Sequence, residues 1–140
     1  RVLFRSAIKF AAKRGVEGVI ILPHVPDKKY AFALARQHYP ELIQCGVKIY
    51  EYTPGFVHAK VVVCDDQEAV VGTINFDYRS LYLHFECGTY MFQCPVIKDI
   101  EQDIEETMHR CHRITLADYK KTSFFMKLMG KLLKIIAPLM

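Results

Sequence analysis

The chain lacks the marks of several protein classes. It has no uninterrupted apolar stretch of the roughly eighteen residues that a bilayer-crossing helix needs, and no secretory signal pattern. It has no low-complexity segment and no internal repeat. Its cysteines, Cys45, Cys64, Cys87, Cys94 and Cys111, are odd in number and have no framework spacing, so reduced thiols in a cytosolic compartment are expected rather than a disulfide scaffold. Charge of one sign is not in large excess either. A formal +4 favours acidic lipid or nucleic acid only weakly. What remains is a 140-residue chain, long enough for one domain that buries about two thirds of its unfolded surface.

One stretch breaks the apolar pattern. His58-Ala59-Lys60 is followed by Val61-Val62-Val63-Cys64, then Asp65, then Ala69-Val70-Val71 and Gly72-Thr73-Ile74-Asn75. The β-branched runs read as buried strands. An imidazole, an ammonium, a carboxylate and a carboxamide among them are costly unless paired. On a strand, His58 and Lys60 share a face. Asp65-Asp66-Gln67-Glu68 reads as a hairpin turn. Centred between Asp66 and Gln67, that turn sets His58 opposite Asn75 and Lys60 opposite Thr73, a patch suited to an oxyanion. A one-residue slip would break this arrangement. Asp65 has the other parity, so it is expected to support the turn or the lysine.

Lysine offers a compact charge to phosphate, and the Asn75 amide donates to another phosphoryl oxygen. Histidine attacks phosphorus or passes a proton near neutral pH. Positioning and charge do most of the work in phosphoryl transfer. The set contains no metal cage, so phosphodiester chemistry without a metal or other cofactor is the reading.

The pattern His58-x-Lys60-x4-Asp65-x6-Gly72-Thr73-x-Asn75 resembles the signature of the phospholipase D superfamily. Tyr52 to Lys60, Asn75 to Ser80, Ile21-Leu22-Pro23, Phe85-Glu86 and Ala137-Pro138-Leu139 resemble its bacterial cardiolipin synthase branch. Thr73 stands where serine is common, and His84 where asparagine is common. The resemblance implies transfer through a phosphohistidine, with two motifs meeting in one site. Phosphatidylglycerol would be donor and acceptor, and glycerol would leave. His58 would be the catalytic histidine. Lys60, Asn75 and Thr73 would bind or frame phosphate, Glu86 would orient His58, and Asp65 would support the site. The implied location is the cytoplasmic face of the bacterial membrane, with an anionic surface as partner and nucleic acid disfavoured.

The chain carries a single motif and opens at Arg1 inside a helical pattern. It therefore reads as the C-terminal half of a longer enzyme, whose other half would supply the second motif and membrane helices. A second copy of this chain is the alternative partner, giving a homodimeric phosphodiesterase or nuclease. A non-enzymatic membrane-associating module is the third reading.

Residues 1–122 are expected to form the catalytic domain and residues 123–140 a basic amphipathic helix. In that helix Phe124, Phe125, Leu128, Leu132 and Ile136 share one face, and Lys127, Lys131 and Lys134 another. It suits an anionic lipid surface or the missing half equally. Helix is expected over Val2–Arg14, ended by Gly15, and over Lys28 to Cys45, capped by Asp27 and followed by Gly46. Strands are expected at Val19–Leu22, Val47–Tyr52, the two hairpin arms and Phe85–Phe92. Phe76–Tyr82 reads as loop, Pro95 to about Arg113 as helix, and Leu116 onward as helix. The order implies an α/β fold with a mixed sheet flanked by helices, and the resemblance implies that this fold is of the phospholipase D-like class. Plainer readings stand beside the functional ones. Asp77 and Arg79 suit a surface ion pair, His24 a loop position or a place near a headgroup, and His109, Cys111 and His112 a short helical cluster without a four-ligand zinc pattern.

Overall fold

The computed structural model describes residues 2–26, 29–122, 128 and 130. Asp27, proposed as a helix cap, lies outside them, as does nearly all of the 123–140 segment.

The chain begins with α1 (Val2–Lys13). Gly15, at φ +94°, turns the chain out of it, a conformation that side chains resist. Val19–Pro23 forms β1. Next come α2 (Lys29–Arg36) and α3 (Tyr39–Gln44), where the sequence reading expects one continuous helix. Pro40 accounts for the break. It has no N–H to give to the Arg36 carbonyl, so the helix restarts with proline in its first turn. Gly46, at φ +99°, then leads into β2 (Lys48–Tyr52).

β1 and β2 run parallel, pairing Val19 with Lys48 through Pro23 with Tyr52. On the other side of β2 lies β6 (Cys111–Ile114), antiparallel, pairing Ile49 with Ile114 and Glu51 with His112. The second sheet is wholly antiparallel. It joins β3 (Lys60–Cys64), β4 (Glu68–Gly72) and β5 (Gly88–Phe92) in that order. Short α4 (Tyr78–Tyr82) lies between β4 and β5. After β5 come α5 (Val96–His109) and, beyond β6, α6 (Leu116–Lys121). The fold is α/β with helix-flanked sheets, as expected, but built as one mixed and one antiparallel three-stranded sheet.

Helices and the mixed sheet share a core. Tyr39, Leu42, Val47, Ile49 and Ile114 are buried together, with Ile8 and Ala12 of α1, Ile20 and Leu22 of β1, and Tyr119 of α6 packed against them. Each fully buried aliphatic side chain in such a cluster contributes about 1.5–3 kcal/mol. Ile49 and Glu51 are the buried positions of β2, as alternation requires.

Two further expectations are corrected. The helix beginning after Pro95 stops at His109, and Cys111–Ile114 is a strand held by pairing with β2. The loop expected over Phe76–Tyr82 instead contains α4. Asp77 caps this helix by accepting from the Ser80 N–H at 2.7 Å.

Candidate functional site

The hairpin register differs from the expected one by a single residue. Lys60 pairs with Gly72, Val62 with Val70 and Cys64 with Glu68. The turn is centred on Asp66, with Asp65 and Asp66 both left-handed at φ 51° and 55°. The Gln67 N–H donates to the Cys64 carbonyl at 3.2 Å, and the Gln67 carbonyl accepts from Gln93 N–H at 2.8 Å. Gln67 is thus an extra turn residue, pinned to the far end of β5. It moves every cross-strand pair by one. The expected pairs His58–Asn75 and Lys60–Thr73 do not form, because the ladder ends at Lys60 and Gly72.

The polar cluster is nonetheless assembled, and β5 does it. Lys60, Gly72 and Gly88 lie in one row across the sheet. Two residues before Gly88, Glu86 has the same parity and so returns to the face of Lys60. A side chain at Gly72 would collide with the Cys87 carbonyl and lie 2.6 Å from Gly88 Cα. Glycine is therefore required where β4 and β5 close up beneath the lysine. The pairing extends past the strand ends, since Thr73 N–H donates to the Cys87 carbonyl at 2.8 Å. The Thr73 hydroxyl donates to Glu86 and accepts from Cys87 N–H at 3.0 Å.

The electrostatics follow from these contacts. The Thr73 hydroxyl holds the Glu86 carboxyl below the usual carboxylate range, helped by Ser80 and by the charges of His84 and Lys60. Burial lowers the Lys60 ammonium from its ordinary value, and the Glu86 charge opposes that shift. Lys60 Nζ donates to the His58 carbonyl at 2.5 Å. The His58 ring is exposed and lies 5.6 Å from the Phe56 ring, tilted by 34°. Among the described residues no hydrogen bond joins His58 to Glu86.

The remaining candidates are placed as follows. Asn75 is exposed on the segment leaving β4, beside Phe76, whose ring stacks on Phe4 of α1 at 3.9 Å and 8°. Asp65 stands in the turn at the other end of β3 from Lys60, about 16 Å along the strand. It is not brought to the cluster. In place of the expected Asp77–Arg79 ion pair, Asp77 caps α4 and Arg79 Nε donates to His84 Nε2 at 2.6 Å. Cys111 donates to the Thr107 carbonyl at 3.2 Å, while His112 Nε2 lies 3.9 Å from Asp118.

Sequence reasoning missed three contributors: Ser80, the Phe4–Phe76 stack and the close approach at Gly72. The spacing of Asp77 and Ser80 carried a legible capping signal. The stack carried none.

The match to a family decides the rest. Residues 2–108 match the family model described as "Cardiolipin synthase, PLD-like domain". The chain belongs to that family. The cardiolipin synthase of Alkalihalophilus pseudofirmus is 34% identical over 135 residues, covering 96% of this chain and 27% of the relative. The chain spans less than a third of the length of the curated relatives it matches. Two crystal structures share the fold at 16% identity. The phosphatidylserine synthase of Haemophilus influenzae has a TM-score of 0.67, covering 99% of this chain and 37% of that one. Nuc of Salmonella typhimurium, a phospholipase D family member, has a TM-score of 0.64, covering 79% and 72%. In this cardiolipin synthase-like domain Lys60 opens β3, His58 and Glu86 stand two residues before β3 and β5, and Thr73 and Asn75 follow β4. Among its described residues no helix is long and apolar enough to cross a membrane.

Proposed function

We propose that the chain supplies one half-site of a phospholipase D-type phosphatidyltransferase that makes cardiolipin and glycerol from two phosphatidylglycerol molecules. The observation carrying this reading is the grouping of Lys60, Thr73 and Glu86 next to His58 in a chain of the cardiolipin synthase family.

In the first step, one histidine of a pair attacks the phosphorus of the donor. An N–P bond forms, the P–O bond to glycerol breaks, and the other histidine gives the leaving oxygen its proton. In the second step, that histidine takes the proton of the accepting hydroxyl. The oxygen bonds to phosphorus and the N–P bond breaks. His58 is one member of this pair, and the second motif supplies the other. Lys60 and Asn75 bind the phosphoryl oxygens. Thr73 frames the phosphate and anchors Glu86, whose carboxylate takes up the His58 ring in the assembled two-half site, a contact not made among the described residues of the chain by itself. Asp65 acts through the hairpin turn alone. The partner is the remaining half of a longer enzyme working at an anionic, cytoplasmic membrane face, with 123–140 as a basic helix against lipid or that half.

Vesicles of phosphatidylglycerol test this. The chain alone should release no glycerol. Adding the remaining half should restore turnover, and His58→Ala should remove it. Failure to restore it would sink the half-site reading. The fold match to Nuc, most of whose length this chain covers, favours a second reading, a homodimeric phosphodiesterase. His58-dependent cleavage by the chain alone, of lipid or of DNA, would establish that reading instead.

A further inference from the structure

Outside the cluster around Lys60 the structure holds a second set of polar groups. Glu51 lies on the core-facing side of β2 and is fully buried. One carboxylate oxygen, Oε1, accepts from the Tyr39 hydroxyl at 3.1 Å and has Arg36 Nε at 3.2 Å as its ion-pair partner. The other, Oε2, faces Nδ1 of His24 at 2.8 Å.

The His24 side chain is 53% exposed, against 1% for Glu51. A histidine buried for packing needs partners for both nitrogens. Here the ring stands half in solvent, so it does not need the carboxylate for its own solvation. In the tautomer that donates from Nδ1 to Glu51, the lone pair sits on Nε2. Among the described residues Nε2 has no partner. A buried carboxylate behind one ring nitrogen fixes tautomer and direction, as orienting groups do for working histidines. The outward atom is then an acceptor, matched to an O–H group rather than to an ionised phosphate.

The location supports a ligand. His24 is the first residue past β1, and Glu51 is next to last in β2. The His24 N–H donates to the Tyr52 carbonyl at 3.0 Å. The pair therefore sits at the carboxyl edge of the parallel strands, the edge where open α/β sheets receive ligands. The chain leaving that edge reaches His58 within six residues, a tether of about 20 Å at full stretch.

We propose that His24, held by Glu51, binds a free hydroxyl of the lipid headgroup and so favours glycerol-type headgroups. The inference rests on the phosphatidyl-transfer reading. His24 is a specificity-determining residue here, with no part in bond making.

The test uses the complemented two-half enzyme and two donor lipids in vesicles, phosphatidylglycerol and phosphatidylethanol, which share the phosphodiester and differ in free headgroup hydroxyls. Butanol is supplied to both as the accepting alcohol, so that phosphatidylbutanol forms and glycerol or ethanol leaves. His24→Ala should raise KM for phosphatidylglycerol about 5- to 10-fold, the loss of one hydrogen bond, with kcat nearly unchanged. KM for phosphatidylethanol should stay at the wild-type value. His24→Asn, which keeps an acceptor, should recover part of the loss. Equal losses on both lipids would assign His24 to the phosphate or to structure and overturn the inference, as would no change on either. A wild-type enzyme inactive on both lipids would sink the phosphatidyl-transfer reading, and this inference with it.

Discussion

The Thr73 hydroxyl donates to the Glu86 carboxylate, tying the exit of β4 to the approach of β5. This contact carries the acidic member of the cluster, because Glu86 precedes its strand and is not held by the ladder itself.

Thr73→Val removes the main cause of the lowered Glu86 value. A carboxyl held low in the folded state contributes stability above its unfolded value, and that contribution disappears as pH falls through the folded value. Thr73→Val should therefore be less stable than wild type at neutral pH. The difference should narrow as pH drops below the ordinary carboxylate range, leaving the pH-independent part that comes from the lost Cys87 N–H bond. Urea unfolding at a series of pH values reads this directly. Thr73→Ser, which keeps the hydroxyl, should track wild type at every pH.

Gly72→Ala should destabilise by about 1–3 kcal/mol or more, because the added carbon meets backbone on β5 that cannot swing aside. Gly88→Ala should cost less. Its added carbon comes nearest to Ile74 Cδ1, at 3.3 Å, the end of a side chain with rotamers to spare. Denaturation midpoints of the two variants, compared side by side, check the order. Equal midpoints would contradict the close approach drawn between β4 and β5.

Tyr39→Phe takes a donor from a buried carboxylate and should cost about 1.5–3 kcal/mol, the range for hydrogen bonds to charged groups. Burial, then the Glu51 charge, pushes the Tyr39 phenol well above its ordinary range. Its absorbance should accordingly not titrate while the protein stays folded in mild alkali. A phenolate band from Tyr39 near the ordinary tyrosine value would show the ring to be in contact with water.

Several of these features were legible in the sequence. Gly15 and Gly46 marked the ends of their helices, and the alternation in Val47–Tyr52 placed Glu51 with Val47 and Ile49 on the inward side. The sequence reading did not single Glu51 out, and its burial and its partners His24, Arg36 and Tyr39 are named only by the fold. The hairpin was legible too, but its register was not. Nothing in Asp65-Asp66-Gln67 announces that both aspartates take left-handed backbone while Gln67 is captured by Gln93. β6 was illegible for a related reason. Cys-His-Arg-Ile has little strand character of its own and exists as a strand because β2 offers it an edge. Local pattern picked out Lys60 and Thr73, whereas long-range pairing through β5 determined how they meet Glu86.

The Phe4–Phe76 stack has a kinetic meaning. It joins the first helix to the loop beside Asn75 across more than half of the chain. Such a contact closes a very long loop and gains nothing until most of the intervening elements are in place. The Asn75 loop should thus acquire its final shape late in refolding, after the hairpin that carries Lys60.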